Sequence, residues 1–156
     1  MKINYKSLLL NIIIPVLLGS LVGFITSPSN SYSELIQPSF APPGILFPII
    51  WTILYTLMGI SHYLVTNSDQ DILSKSRASF IYIIQLIVNL LWSIVFFSFG
   101  WRLFAFIWII LLIILVIIMI KRFYDINKTA AYLQIPYLAW LIFASILNLS
   151  VYLLNR

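Results

Sequence analysis

Gln85, Asn89 and Trp92 recur at i, i+4 and i+7, which puts all three on one face of a helix. Tyr137, Trp140, Ala144 and Asn148 make a second such stripe, and the small Ala144 leaves room beside an indole. Trp51 and Tyr55, four residues apart, make a third. Carboxamides and indoles do not do acid–base chemistry at neutral pH; they hydrogen-bond and stack. In an apolar setting an amide is costly unless paired, so these groups should point inward. Taken singly, each amide reads as an interhelical hydrogen bond of about 0.6 kcal/mol, and each indole as an interfacial anchor. Three stripes together favour a pocket with aromatic walls and a few polar groups, the make-up of a small-molecule site.

Other chemistry is missing. The chain has no cysteine, which excludes disulfides, thiolate metal sites and a cysteine nucleophile. His62 is the only histidine and follows Ser61 directly. Glu34 falls in a loop, and Asp69, Asp71 and Asp125 fall at helix ends. No Ser-His-Asp triad, carboxylate pair or metal-binding histidine cluster can be assembled from them. No metal is expected, no cofactor is required, and no firm catalytic residue is assigned. His62 reads as a satisfied helix-end histidine rather than an axial ligand for a metalloporphyrin.

The elements that must position these stripes follow from composition. Of 156 residues, 62% are hydrophobic and 8% charged, against about 25% charged in soluble domains. No soluble fold of this size could hide that much apolar surface, so the expected solvent is a lipid bilayer. Charges are absent from Lys6 to Glu34, Arg77 to Arg102, Arg102 to Lys121 and Lys128 to Arg156. A spanning helix needs about 20 apolar residues. The spacing predicts helices near 6–26, 44–66, 78–99, 102–122 and 129–154: one all-α membrane domain over 1–156, a five-helix bundle. The runs are continuous rather than alternating, which argues against a β-barrel. Ser7 to Ile25 is long for a signal-peptide core and should be a retained helix.

The net charge of +5 does not point to nucleic acid, because the basic residues sit at helix ends. Lys2, Lys6, Lys75, Arg77, Lys121, Arg122 and Lys128 share one face, against Arg102 and Arg156 on the other. This asymmetry predicts a cytoplasmic N-terminus and an external C-terminus. No charge lies inside a span, so a coupled ion pump lacks its usual machinery. Gly19 and Gly23 form a GxxxG pair that lets helices approach closely. Pro15 and Pro136 interrupt apolar runs and should face the interior or mark kinks. Pro42, Pro43 and Pro48 stiffen the segment that feeds the second helix. That suits a lid over a cavity, or plain punctuation at a helix start.

Three stretches, "PSFAPPGILFPIIWTILYTLMGIS", "NLLWSIVFF" and "PYLAWLIFASILN", occur in this order and span almost the whole chain. They resemble the motifs of the TspO/MBR family, the tryptophan-rich sensory proteins and mitochondrial translocator proteins. The resemblance implies a five-helix protein, often a homodimer, of a bacterial cell membrane. It implies porphyrin ligands such as protoporphyrin IX, and benzodiazepine-type ligands. The family pocket would be lined by Phe47, Trp51, Asn89, Trp92, Trp140, Ala144 and Leu147, with Tyr32 from the first loop. Tyr55, Gln85 and Tyr137 join them from the stripes. The leading expectation is a receptor or sensor. The alternatives are light- and oxygen-dependent breakdown of protoporphyrin, with Trp51 and Trp140 as redox partners, and porphyrin transport. Phe40 and Ile45 stand where the family often has tryptophan, so the first loop carries less indole than usual.

Overall fold

The computed structural model describes residues 3–27 and 32–156; Lys2 and the middle of the first loop lie outside them. Among the described residues six α-helices follow in order: α1 (Tyr5–Thr26), α2 (Leu46–Thr66), α3 (Ile72–Ser93), α4 (Arg102–Ile126), α5 (Lys128–Tyr132) and α6 (Ile135–Leu154), with a short 3-10 turn, Tyr32–Glu34, in the first loop. A π-helical turn, Ile94–Ser98, prolongs α3. Five spans are long and apolar enough to cross a membrane: α1, α2, α3 with its π turn, α4, and α5 with α6. The chain is thus an all-α integral membrane protein.

Local chemistry sets the boundaries. The Asn4 side chain accepts from the Ser7 N–H at 3.1 Å and starts α1. The Asp71 carboxylate accepts from the Ser74 N–H at 2.8 Å and starts α3 at Ile72, earlier than the expected 78. Hydrogen bonds from Ser74 hold the Asp71 carboxyl below its ordinary range, so the cap is charged at neutral pH. Lys75 and Arg77 therefore ride on the first turns of a helix rather than in a loop. Gly100, at φ +66°, sits in the break before α4. α4 runs to Ile126, past the expected 122, and Asn127 caps α5 by accepting from the Ala130 N–H at 3.0 Å. The fifth span is broken at Leu133–Gln134, because Pro136 has no N–H to return to Tyr132 and its ring crowds that carbonyl. Pro42 and Pro43 precede α2, which starts at Leu46. Pro48 falls in its first turn, where an N–H would be unpaired anyway.

Between apolar helices in lipid there is little hydrophobic drive, so close packing and hydrogen bonds must hold the bundle. One face of α4, Ala105, Ile109, Leu112, Val116, Met119 and Phe123, is buried at helical spacing. α1 packs chiefly on α2 and buries little beyond Pro15 and Thr26. The crossing depends on Gly59. Pro15 frees the Asn11 carbonyl one turn earlier, and that carbonyl lies against Gly59. A Cβ on Gly59 would overlap the Asn11 oxygen and the Cα of Ile12. Polar ties close both ends. At the basic end the Asn4 N–H donates to the Tyr63 hydroxyl (3.0 Å) and Asn67 Nδ2 to the Ser7 hydroxyl (3.2 Å). At the other end Asn155 accepts from the Ile36 N–H (3.0 Å) and donates to the Ile36 carbonyl (2.8 Å).

Gly59→Val should separate α1 from α2 and destabilise the bundle by about 1–3 kcal/mol. Gly44→Ala, whose Cβ would meet nothing within 4 Å, should be neutral. Thermal unfolding in detergent checks this; equal melting of the two variants would refute the crossing argument.

Candidate functional site

A cavity of about 510 Å³ lies between α1, α2, α3 and α6, towards the end opposite the basic loops. The first loop roofs it through Tyr32 and Gly44. Phe47, Pro48, Trp51, Thr52 and Tyr55 come from α2. Trp92 and Ser93 come from α3, Phe97 from the π turn, and Trp140 and Ala144 from α6. α1 supplies Gly19, Ser20, Gly23 and Thr26, a side with almost no bulk. No charged side chain lines the cavity among the described residues. Burial pushes the Tyr32 phenol up, so it is neutral across the physiological range.

The walls are a mesh of rings. Tyr32 meets Phe47 edge-on at 5.4 Å between centroids, and Phe47 meets Trp140 at 5.9 Å. Trp51 stacks on Tyr55 at 5.4 Å and touches Tyr137 at 6.3 Å. Phe40, in place of the expected tryptophan, packs on Phe143 at 6.2 Å. These geometries are the favourable ones for aromatic pairs. Gly19 seats the Tyr55 ring, which a Cβ there would overlap, whereas a Cβ on Gly23 would stand in open space. The GxxxG pair thus serves the cavity wall within one chain. The indole N–H of Trp140 is buried and has no partner among the described residues.

Beneath this hollow runs a hydrogen-bond chain. The Tyr55 hydroxyl donates to Asn89 Oδ1 (2.7 Å) and Asn89 Nδ2 donates to the Tyr137 hydroxyl (3.0 Å). The Tyr137 hydroxyl donates to Gln85 Oε1 (2.9 Å). Gln85, Asn89 and Tyr137 are 0–1% exposed. The chain ties α2, α3 and α6 together in the buried centre of the bundle.

Seven of the eleven sequence-derived site residues line the cavity: Tyr32, Phe47, Trp51, Tyr55, Trp92, Trp140 and Ala144. Gln85, Asn89 and Tyr137 lie in the network below it, and Leu147 is buried in the core. Asn148 donates to the Arg102 carbonyl at 2.8 Å and anchors α6 to α4. Trp92 does double duty, its N–H donating to the Ala105 carbonyl at 3.1 Å. The α1 residues escape the stripe analysis, although the Gly19–Gly23 spacing marks their face. Ser93 and Phe97 reach the wall at the π turn, a feature common near functional sites and unmarked in sequence. His62 lies outside the cavity lining: its ring nitrogens sit 2.6 Å from Asn11 Oδ1 and 3.0 Å from Ser79 Oγ. Asn11 donates its own amide to the Ser7 carbonyl, so its oxygen faces His62 and the imidazole N–H is on Nδ1. Both nitrogens are thus engaged in tying α2 to α1 and α3.

Residues 11–154, and so both the cavity and the network, match the family model described as TspO/MBR family. The chain belongs to the TspO/MBR family. It is 37% identical to the tryptophan-rich protein TspO of Archaeoglobus fulgidus, across 97% of this chain and 99% of that one. It is 34% identical to the translocator protein homolog of Schizosaccharomyces pombe, across 92% and 88%. Against the human translocator protein identity is 32%, across 78% and 72%. In this TspO/MBR chain the hydrogen-bond chain is the feature a single atom can test. Tyr137→Phe removes the hydroxyl shared by Asn89 and Gln85, and should cost about 0.6–2 kcal/mol. Tyr152→Phe, outside the network, should melt as the parent does; a Tyr137→Phe protein of parental stability would count against the network.

Proposed function

We propose that this membrane protein is a receptor or sensor that holds a flat tetrapyrrole, such as protoporphyrin IX, in the cavity under the first loop. The observation that carries the reading is an uncharged hollow of about 510 Å³ walled by Phe47, Trp51, Trp92 and Trp140. Its volume falls within the ~300–1,000 Å³ of small-molecule sites. A planar apolar guest would stack on these rings, and affinity would come mainly from buried apolar area, less the cost of ordering. The unpartnered Trp140 N–H is a donor for a polar edge of the guest. Benzodiazepine-type ligands would use the same slot. With the basic end in the cytoplasm, the roofed end faces outward.

Trp51→Phe and Trp140→Phe should each weaken protoporphyrin IX binding by roughly 2- to 10-fold, the scale of one aromatic contact. Gly23→Leu, projecting into open space, should block binding without loss of stability. Quenching of the remaining tryptophan fluorescence measures all three, and unchanged affinity throughout removes the pocket assignment.

A second reading is light-driven breakdown of the bound porphyrin. It is favoured by the stacking of Trp51 on Tyr55, two oxidisable rings in contact that offer a bound, photoexcited guest a nearby electron donor, with oxygen as the terminal oxidant. Illumination of the protein with protoporphyrin IX in air should then bleach the porphyrin faster than in empty micelles. Equal rates would leave binding alone.

A further inference from the structure

Arg77 on α3 and Arg122 on α4 open onto one groove of about 400 Å³ at the basic end of the bundle. Ser76 stands beside them, and Phe80, Ile81 and Ile118 line the rest. The order follows from helical spacing. Phe80 and Ile81 lie about one turn further along α3, and Ile118 one turn back along α4. The groove is therefore polar and cationic at its rim and apolar towards the middle of the span. Both arginine side chains are exposed at the groove, open to an incoming ligand. Asp125 lies within a turn of Arg122 on the same helix, yet forms no ion pair with it. Together on one groove the two exposed arginines present a concentration of positive charge that an anion would neutralise.

We infer that this α3–α4 groove holds an anionic phospholipid, its phosphate between Arg77 and Arg122 and an acyl chain along Phe80, Ile81 and Ile118. Charge complementarity selects the headgroup, because a guanidinium fork matches phosphate oxygens in bidentate fashion. Ser76 adds a hydroxyl donor. The apolar floor selects a lipid over a free anion, since inorganic phosphate would leave Phe80 and Ile118 uncovered. Basic pockets between helices at one membrane face recognise lipid headgroups in this way. The site is separate from the aromatic cavity and independent of what that cavity binds.

The test uses the full chain, delipidated in detergent and titrated with phosphatidylglycerol, phosphatidylcholine or inorganic phosphate, with bound lipid counted by native mass spectrometry. Phosphatidylglycerol should bind at least 10-fold more tightly than phosphatidylcholine. Arg77→Gln and Arg122→Gln should each weaken it by roughly 10-fold, as expected for one charge-assisted contact. Lys6→Gln, which removes the same charge from the same end, should leave it unchanged. Arg122→Lys keeps the charge but loses the fork, and should fall between parent and Arg122→Gln; it also serves if a glutamine variant fails to fold. Equal losses in Lys6→Gln and the arginine variants would reduce the effect to net charge and overturn the site. So would equal binding of the two lipids, or displacement of phosphatidylglycerol by inorganic phosphate at matched concentration.

Discussion

A carboxamide inside a bilayer has no water to fall back on, and the Tyr55–Asn89–Tyr137–Gln85 chain answers that constraint for both amide atoms of Asn89 and for the oxygen of Gln85, leaving Gln85 Nε2 without a partner among the described residues. Asn89 and Gln85 sit at the centre of α3, where an unpaired amide would be costly. The hydroxyls of Tyr55 and Tyr137 reach them from α2 and α6. Each hydroxyl also fixes the ring that carries it. Tyr55 is thereby held as cavity wall on one side and network member on the other, and Trp51 packs on both tyrosines. The aromatic hollow keeps its shape because its floor is hydrogen-bonded across three helices.

Above the floor, packing is asymmetric. α2, α3 and α6 contribute rings, while α1 contributes glycine, serine and threonine. Small residues do two jobs on α1 and its partner. Gly59 lets the backbones of α1 and α2 touch where Pro15 has left a carbonyl free, and Gly19 accepts the Tyr55 ring. The result is a thin side wall beside a thick one, and the hollow lies where the thin wall has nothing to fill it.

Much of this was legible in residue order. Charge-free runs marked five spans because hydrocarbon excludes charge, and Pro136 announced the break in the last one. The start of α3 differs from the expected one because Lys75 and Arg77 look like loop residues; the helix, capped by Asp71, begins at Ile72 and carries them on its first turns. The stripes found the aromatic walls. They did not tell which amides would face the hollow, since spacing gives the face of a helix but not what stands opposite it. For Asn89 and Gln85 that was a tyrosine hydroxyl. α1 was underestimated because a glycine wall is defined by missing side chains, and a hydrophobic pattern has little to register there.

One small contact governs how the roof can behave. Asn155 grips both backbone groups of Ile36, so the loop is latched to the last turn of α6 rather than resting on it. Unlatching costs two hydrogen bonds together, not one at a time. The cover and the helix that carries Trp140 are therefore joined at the end of the bundle through one side chain, so the proposed guest, entering under the cover, would meet α6 at both places.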